Sequence, residues 1–333
     1  MTAVPADDAA VPESRRGGSA LARAVSSFLE NRLAAVGVGI VVLFILFCYL
    51  GPLLYHTDQT HIELSDATLA PSAAHPGSWL VTVPSHSRVD RVDPDGETRT
   101  VAELPDAVTG IATTGLGTFV LTGVMGAAGW RLARVDDEGG GSAATVCDLP
   151  DLRLGNGLAW DGRRLLAVDS GLGHLVAIDP IAGTSAVWLA HELLGTLARD
   201  TPLPGANGIA VHDGWVYITN SERPLLLRSP LASDDPAGEL EVVAEHLGAD
   251  DFAIDPSGRI YLATNVRHTV LRLDPDGHRE DIAGLEQGVA GATSAALDPR
   301  DPTALYVTST GGMLNPPAGG VQPGRLVRLT LDS

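Results

Sequence analysis

The sequence predicts an all-β fold, a six-bladed β-propeller, carried behind a single N-terminal transmembrane helix. Three observations predict it. One phrase recurs: TGIATTGLGTFVLTG from Thr109, NGLAWDGRRLLAVDS from Asn156, NGIAVHDGWVYITNS from Asn207, DDFAIDPSGRIYLATN from Asp250 and TSAALDPRDPTALYVTST from Thr293. The copies begin about 43 to 51 residues apart, a period typical of propellers and solenoids. A second phrase occurs six times, as RVDRVDPDG from Arg88, RLARVDDEG from Arg131, HLVAIDP from His174, LLLRSP from Leu225, HTVLRLDPDG from His268 and RLVRLTL from Arg325. The third observation is an uncharged run, Leu33–Tyr55.

Each repeat is an apolar strand, a turn rich in Gly, Asp and Pro, and a second apolar strand. Alternation such as Trp215–Thr219 (WVYIT) fits a period of two. A unit of this length holds about four strands, one propeller blade, so six second phrases give six blades.

The chain divides in order. Residues 1–32 are polar and small, with the composition of a disordered cytoplasmic tail. Residues 33–55, LAAVGVGIVVLFILFCYLGPLLY, carry no charge and at helical rise span roughly 35 Å, enough to cross about 30 Å of hydrocarbon. The apolar core of a signal peptide is shorter, which favours an anchor. Arg15, Arg16, Arg23 and Arg32 precede the run and no arginine follows until Arg88, so the bias of positive charge puts the N-terminus in the cytoplasm and the propeller outside. Residues 56–77 form a Pro/Ala-rich linker, and residues 78–333 the propeller.

The formal net charge is −19, and all 22 basic residues are arginine. Phosphate binding needs clustered cations, so nucleic acid is excluded as a partner. Acidity favours solubility, and it also attracts cations such as Ca²⁺. Cys48 lies in the uncharged run and Cys147 in a repeat, which leaves no basis for a disulfide framework.

In a propeller the innermost strands line a central channel, and equivalent positions form a ring. Counting back three residues from the matched alanine of each copy gives Thr109, Asn156, Asn207, Asp250 and Thr293. Oxygen ligands from separate strands suit a hard cation, Ca²⁺ or Mg²⁺, and the absence of His and Cys argues against zinc. Asn and Asp before a strand are also ordinary turn formers; the register of the whole set is what favours a site. Asp169, Asn220 and Asn265 end the second strand of their blades, where capping a turn is the plainer role. His191 and Glu192 lack the spacing of a zinc motif. Residues 186–204 form a long insertion, read as an interblade loop.

Two resemblances add to this. Phe28–Gly77, with NRLA from Asn31, GPLL from Gly51 and LAPSAAHP from Leu69, resembles the start of dipeptide/oligopeptide ABC-transporter permeases. That family continues into five more membrane helices, for which this chain has no apolar stretch, so transporter subunits are expected as partners only if this segment functions as in that family. The repeats, through GNGLAW (Gly155–Trp160), ANGIAV (Ala206–Val211) and ADDFAID (Ala249–Asp255), resemble the SMP-30/gluconolactonase/LRE-like propellers. That resemblance implies a divalent metal in the channel, Ca²⁺ foremost, held by a first-blade Glu with Asn156, Asn207 and Asp250. Aligning Trp79–Val83 with Arg164–Val168 puts Pro71 at the Glu position, so this ligand is expected to be missing. The implied activity is metal-assisted hydrolysis of a small-molecule ester or lactone in the channel, with Asp250 or Asp251 as general base and Asn207 orienting substrate. A non-catalytic propeller that binds a ligand or protein outside the cell is the alternative, and a permease-like fragment fused to a propeller is another.

Overall fold

A computed structural model describes Val41 and residues 68–72, 74–138, 140–197, 203–232 and 234–332. The chain divides into two units, residues 1–61 and 62–333. Of the first unit only Val41 is described, in helical conformation. The expected cytoplasmic tail and membrane span therefore lie outside the described residues, as does Cys48. No helix among the described residues is long and apolar enough to cross a membrane.

The second unit is six antiparallel sheets. Blade one comprises β1 (Leu69–Pro71), β2 (Trp79–Val83), β3 (Arg88–Val92) and β4 (Thr98–Glu103). Blade two comprises β5 (Ala107–Thr114), β6 (Gly117–Gly123), β7 (Trp130–Val135) and β8 (Ala143–Leu149). Blade three runs β9 (Gly155–Trp160), β10 (Leu165–Asp169), β11 (His174–Asp179) and β12 (Thr184–Ala190), and blade four β13 (Ala206–His212), β14 (Trp215–Asn220), β15 (Leu225–Pro230) and β16 (Glu241–Glu245). Blade five runs β17 (Phe252–Ile254), β18 (Ile260–Thr264), β19 (Thr269–Leu273) and β20 (Arg279–Ala283). Blade six shows three strands among the described residues, β21 (Ala292–Asp298), β22 (Asp301–Ser309) and β23 (Arg325–Thr330). The first strand of each blade touches its counterpart in the next, and β21 touches β1 to close the ring.

The propeller begins earlier than the expected residue 78, because β1 lies within the stretch read as linker. An unpaired β2 would leave a backbone edge open on the channel side, and Leu69–Pro71 covers it by pairing with Trp79–Val81. The insertion at 186–204 is also part strand: residues 186–190 complete β12, and Glu192–Leu194 form a single 3-10 turn.

Turn chemistry sets the repeat. In Asp93–Gly96, Asp255–Gly258 and Asp274–Gly277 the glycine N–H donates to the aspartate carbonyl at 2.8–2.9 Å with φ between +84° and +88°, a conformation that glycine adopts without steric cost.

Apolar clusters fill the junctions between blades. Leu80 and Val89 meet Val108 and Val120 between blades one and two; Trp130 and Leu149 meet Leu158 and Leu165 between two and three. Comparable clusters join three to four, four to five and five to six. Between six and one, Trp79 and Tyr306 are in ring contact at 4.5 Å. Trp130 is fully buried, and its indole N–H donates to the Arg153 carbonyl at 3.1 Å. Its ring occupies the space that a Cβ on Gly123 or Gly155 would take. Cys147 is a free, buried thiol whose pKa is raised, by burial first and by the nearby Asp148 charge.

Candidate functional site

Strand register puts the five ring residues at one structural step. Ile209 pairs with Ile218, Phe252 with Leu262 and Ala295 with Val307, so Asn207, Asp250 and Thr293 each lie two residues before equivalent positions. Thr109 and Asn156 stand likewise before Ile111 and Leu158. All five are buried, from 0 % exposed at Thr109 to 6 % at Asp250.

The residue after each of them faces the next blade at close range. A Cβ on Gly157 would lie 2.5 Å from the Asn207 carbonyl, one on Gly208 would lie 2.5 Å from Asp251 Oδ1, and one on Gly110 would fall on the Asn156 carbonyl. The glycine of the repeated Asn-Gly phrase is thus required by contact between inner strands, apart from any ligand. Blades five and six place Asp251 and Ser294 at this step, and Ser294 Oγ donates to Asp251 Oδ2 at 2.5 Å.

Hydroxyls stitch the channel wall. Thr68 Oγ1 donates to the Thr109 carbonyl at 2.7 Å, Thr109 Oγ1 to that of Gly155 at 2.9 Å, and Ser170 and Ser221 to those of Ala206 and Ala249 at 2.5 and 2.9 Å. The ring amides join this network: Asn156 Nδ2 donates to Ser170 Oγ at 3.2 Å and Asn207 Nδ2 to Ser221 Oγ at 2.9 Å. In blade five the serine is replaced by Asn265, whose Nδ2 donates to Asp250 Oδ2 at 2.7 Å. Asn265 Oδ1 is buried with no hydrogen-bond partner. A buried acceptor without a donor is costly and points to a missing donor or cation.

These groups fit a hard cation in kind. Asp250 offers a carboxylate, and the Nδ2 bonds of Asn156 and Asn207 fix how each amide presents its Oδ1. No three His, Cys, Asp or Glu side chains group together among the described residues, so a cation here would depend on amide oxygens.

The first-blade position requires a correction. Thr68 N donates to Thr82 Oγ1 at 2.9 Å as Gly208 N does to Thr219 Oγ1 at 2.8 Å, so Thr68 is the equivalent of Gly208. The counterpart of Asn207 is then the residue before Thr68, outside the described residues. Pro71 pairs with Trp79 at the opposite end of the strand and is not the ring position. The hairpin joining β1 to β2 is longer than that joining β9 to β10, and constant spacing therefore counts to the wrong residue.

Asp169 and Asn220 cap turns. Asp169 accepts from the backbone N–H groups of Gly171, Leu172 and Arg153, while Asn220 donates to the carbonyls of Leu193 and Gly195. His191 Nδ1 accepts from Leu193 N, an N-cap rather than a metal contact. Asn265 is the member of that trio that reaches the ring. A polar residue recurring 14 or 15 positions after Asn156, Asn207 and Asp250 is the sequence signal that would have found it.

Comparison with known proteins adds two findings. Residues 19–71 match the family model described as the N-terminal TM domain of oligopeptide transport permease C. The last three matched residues are β1. Among solved structures, the chain resembles a calcium-binding protein, regucalcin, from Agrobacterium tumefaciens at 19% identity, with 80% of this chain and 88% of that one covered and a TM-score of 0.56. Virginiamycin B lyase from Staphylococcus aureus, as a catalytically inactive variant with quinupristin, gives 14%, 82%, 83% and 0.54. A luciferin-regenerating enzyme gives 13%, 81%, 94% and 0.56. The likeness shows the fold alone. It is a six-bladed β-propeller. Comparison with curated proteins returned no match.

Proposed function

We propose that this chain is a membrane-tethered β-propeller that binds a hard divalent cation, Ca²⁺ foremost, at the start of its inner strands. Asp250 supplies the charge, and Asn265, Asn207 and Asn156 supply neutral oxygens. The observation that carries this reading is the buried, unpartnered Asn265 Oδ1 beside the Asp250 carboxylate. The calcium-binding regucalcin among the structural neighbours supports it. Thermal unfolding of the full chain tests it: Ca²⁺ raises the midpoint because it binds only the folded state, and Asp250→Asn removes the rise. If Ca²⁺, Mg²⁺, Mn²⁺ and Zn²⁺ all leave the midpoint unmoved, the reading fails.

A second reading, ester or lactone hydrolysis, is favoured by the adjacent carboxylate of Asp251. A cation held at this site supplies Lewis acidity toward a carbonyl. Asp251, steadied by Ser294 Oγ at one oxygen, or Asp250 takes the proton of the attacking water. Asn207 is neutral and orients substrate. Loss of lactonase turnover in Asp251→Asn with retained cation binding would separate this from the first reading.

The tether rests on the match to a permease TM domain and on the arginines before residue 33. It puts residues 1–32 in the cytoplasm and the propeller outside. Protease added to intact cells expressing the chain should digest or release the propeller. Transporter subunits remain candidate partners, tested by co-purification.

A further inference from the structure

The exposed large apolar side chains of the propeller are unevenly placed. Among the described residues, Val124, Leu172, Leu197, Leu285 and Val321 all stand on the face where the inner strands begin. The opposite face has Leu116 and Ile181, and the rest lie on outer strands. Strand register fixes the assignment. Val124 follows Gly123, which pairs with Ala107 at the start of β5, and Leu172 follows Asp169, which pairs with Gly155 at the start of β9. Val321 lies between Ser309, paired with Ala292 at the start of β21, and Arg325. Leu197 N donates to Glu222 Oε2 just beyond the end of β14, and Leu285 follows β20 at the end where Ala283 pairs with Val270.

Charge divides the other way. The turns that join second to third strands, residues 84–87, 124–129, 170–173, 221–224, 265–268 and 310–324, contain no aspartate and one glutamate, Glu222. Their charged side chains are held locally: Glu222 by Leu197 N, Arg223 by the Gly195 carbonyl and Arg267 by Asp281. Hairpins on the opposite face carry Asp93, Asp95, Asp213, Asp255, Asp274 and Asp276. A face charged in this way stays in water.

The chain enters the propeller on the face with the apolar tips. Thr68 precedes β1 at the same step as Gly208 near the start of β13. Residues 56–67 reach at most about 40 Å back to the uncharged run. We infer that this face docks on a bilayer of zwitterionic phospholipid, with Val124, Leu172, Leu197, Leu285 and Val321 entering the headgroup layer. The inference rests on the tether reading, which supplies the bilayer. Apolar loop tips gain by leaving water, in the manner of an interfacial anchor, and the net charge of −19 disfavours anionic lipid. The cation ring then lies on the lipid side of the propeller.

Fluorescence quenching of the full chain in phosphatidylcholine vesicles tests it. In a Cys48→Ala background, with Cys147 buried, one fluorophore is attached at Leu172→Cys, Leu197→Cys or Leu285→Cys, and on the opposite face at Leu116→Cys or Ile181→Cys. An interfacial anchor sits about 5–10 Å into the headgroup boundary, so lipid spin-labelled near the headgroup should quench the first three labels about threefold more than the last two. Alkaline carbonate extraction, run in parallel, reads the tether alone. Retention in carbonate with equal quenching at all five positions keeps the tether and overturns the docking. Release by carbonate of a chain whose first three labels were selectively quenched removes the tether and keeps the docking. Release without selective quenching overturns both. Labels on the first three positions that are shielded from aqueous iodide but untouched by the spin-labelled lipid put a protein on this face, and that too overturns the inference.

Discussion

Asn265 Nδ2 donates to Asp250 Oδ2 at 2.7 Å while Asn265 Oδ1, in the same buried amide, has no partner. One end of the side chain is bonded and the other is not. Asn265→Ala removes a hydrogen bond to a charged group, which is worth about 1.5–3 kcal/mol. Denaturant unfolding without added cation should read a loss of that size. Any Ca²⁺-dependent rise in the thermal midpoint should shrink with it.

The inner strands pack through glycine. Gly157→Ala forces a methyl to within 2.5 Å of the Asn207 carbonyl, and neither strand can retreat without moving a blade. The expected cost is about 1–3 kcal/mol, as for other overpacked sites. Gly115→Ala, with open space around its Cβ and no left-handed backbone, serves as the control and should be near neutral in the same unfolding assay.

Acid should destabilise the propeller through its turn carboxylates. Hydrogen bonds from Arg300 to Asp298 lower that pKa, and bonds from Thr303 lower that of Asp301. A carboxyl depressed in the folded state contributes stability above its unfolded pKa, near 3.9, and loses that contribution as pH falls toward the folded value. Urea midpoints should therefore hold from pH 7 to about 5 and then fall below about 4. Asp298→Asn should flatten part of that fall.

Asp137 accepts from Ser72 Oγ at 2.7 Å and from Ala74 N at 3.1 Å, pinning the hairpin after β1 to blade two. Asp137→Ala should release that hairpin. Hydrogen exchange should accelerate at residues 69–72 and in the β2 amides that pair with them, while blades three to five remain protected.

Much of this architecture is legible in the repeats. The repeated phrase puts Thr109, Asn156, Asn207, Asp250 and Thr293 in register, because each of blades two to six opens with the same apolar strand. The reading fails where length changes. The long hairpin between Pro71 and Trp79 shifts blade one, so that counting reaches Pro71 instead of the residue before Thr68. The partnership of Asn265 with Asp250 is non-local, and at single residues it looks the same as the turn caps Asp169 and Asn220. Blade six carries both phrases, at Thr293 and Arg325, yet its sheet has three strands among the described residues; the phrases mark the first three strands of a blade and do not count its outermost one.

The permease-type match and the propeller share a stave. Residues 69–71 are the tail of the permease-type match and also the inmost strand of the first blade. Excising residues 19–71 as a cassette would take this stave with it and leave the barrel of blades gaping on one side. A cut that spares the propeller must therefore fall before Thr68.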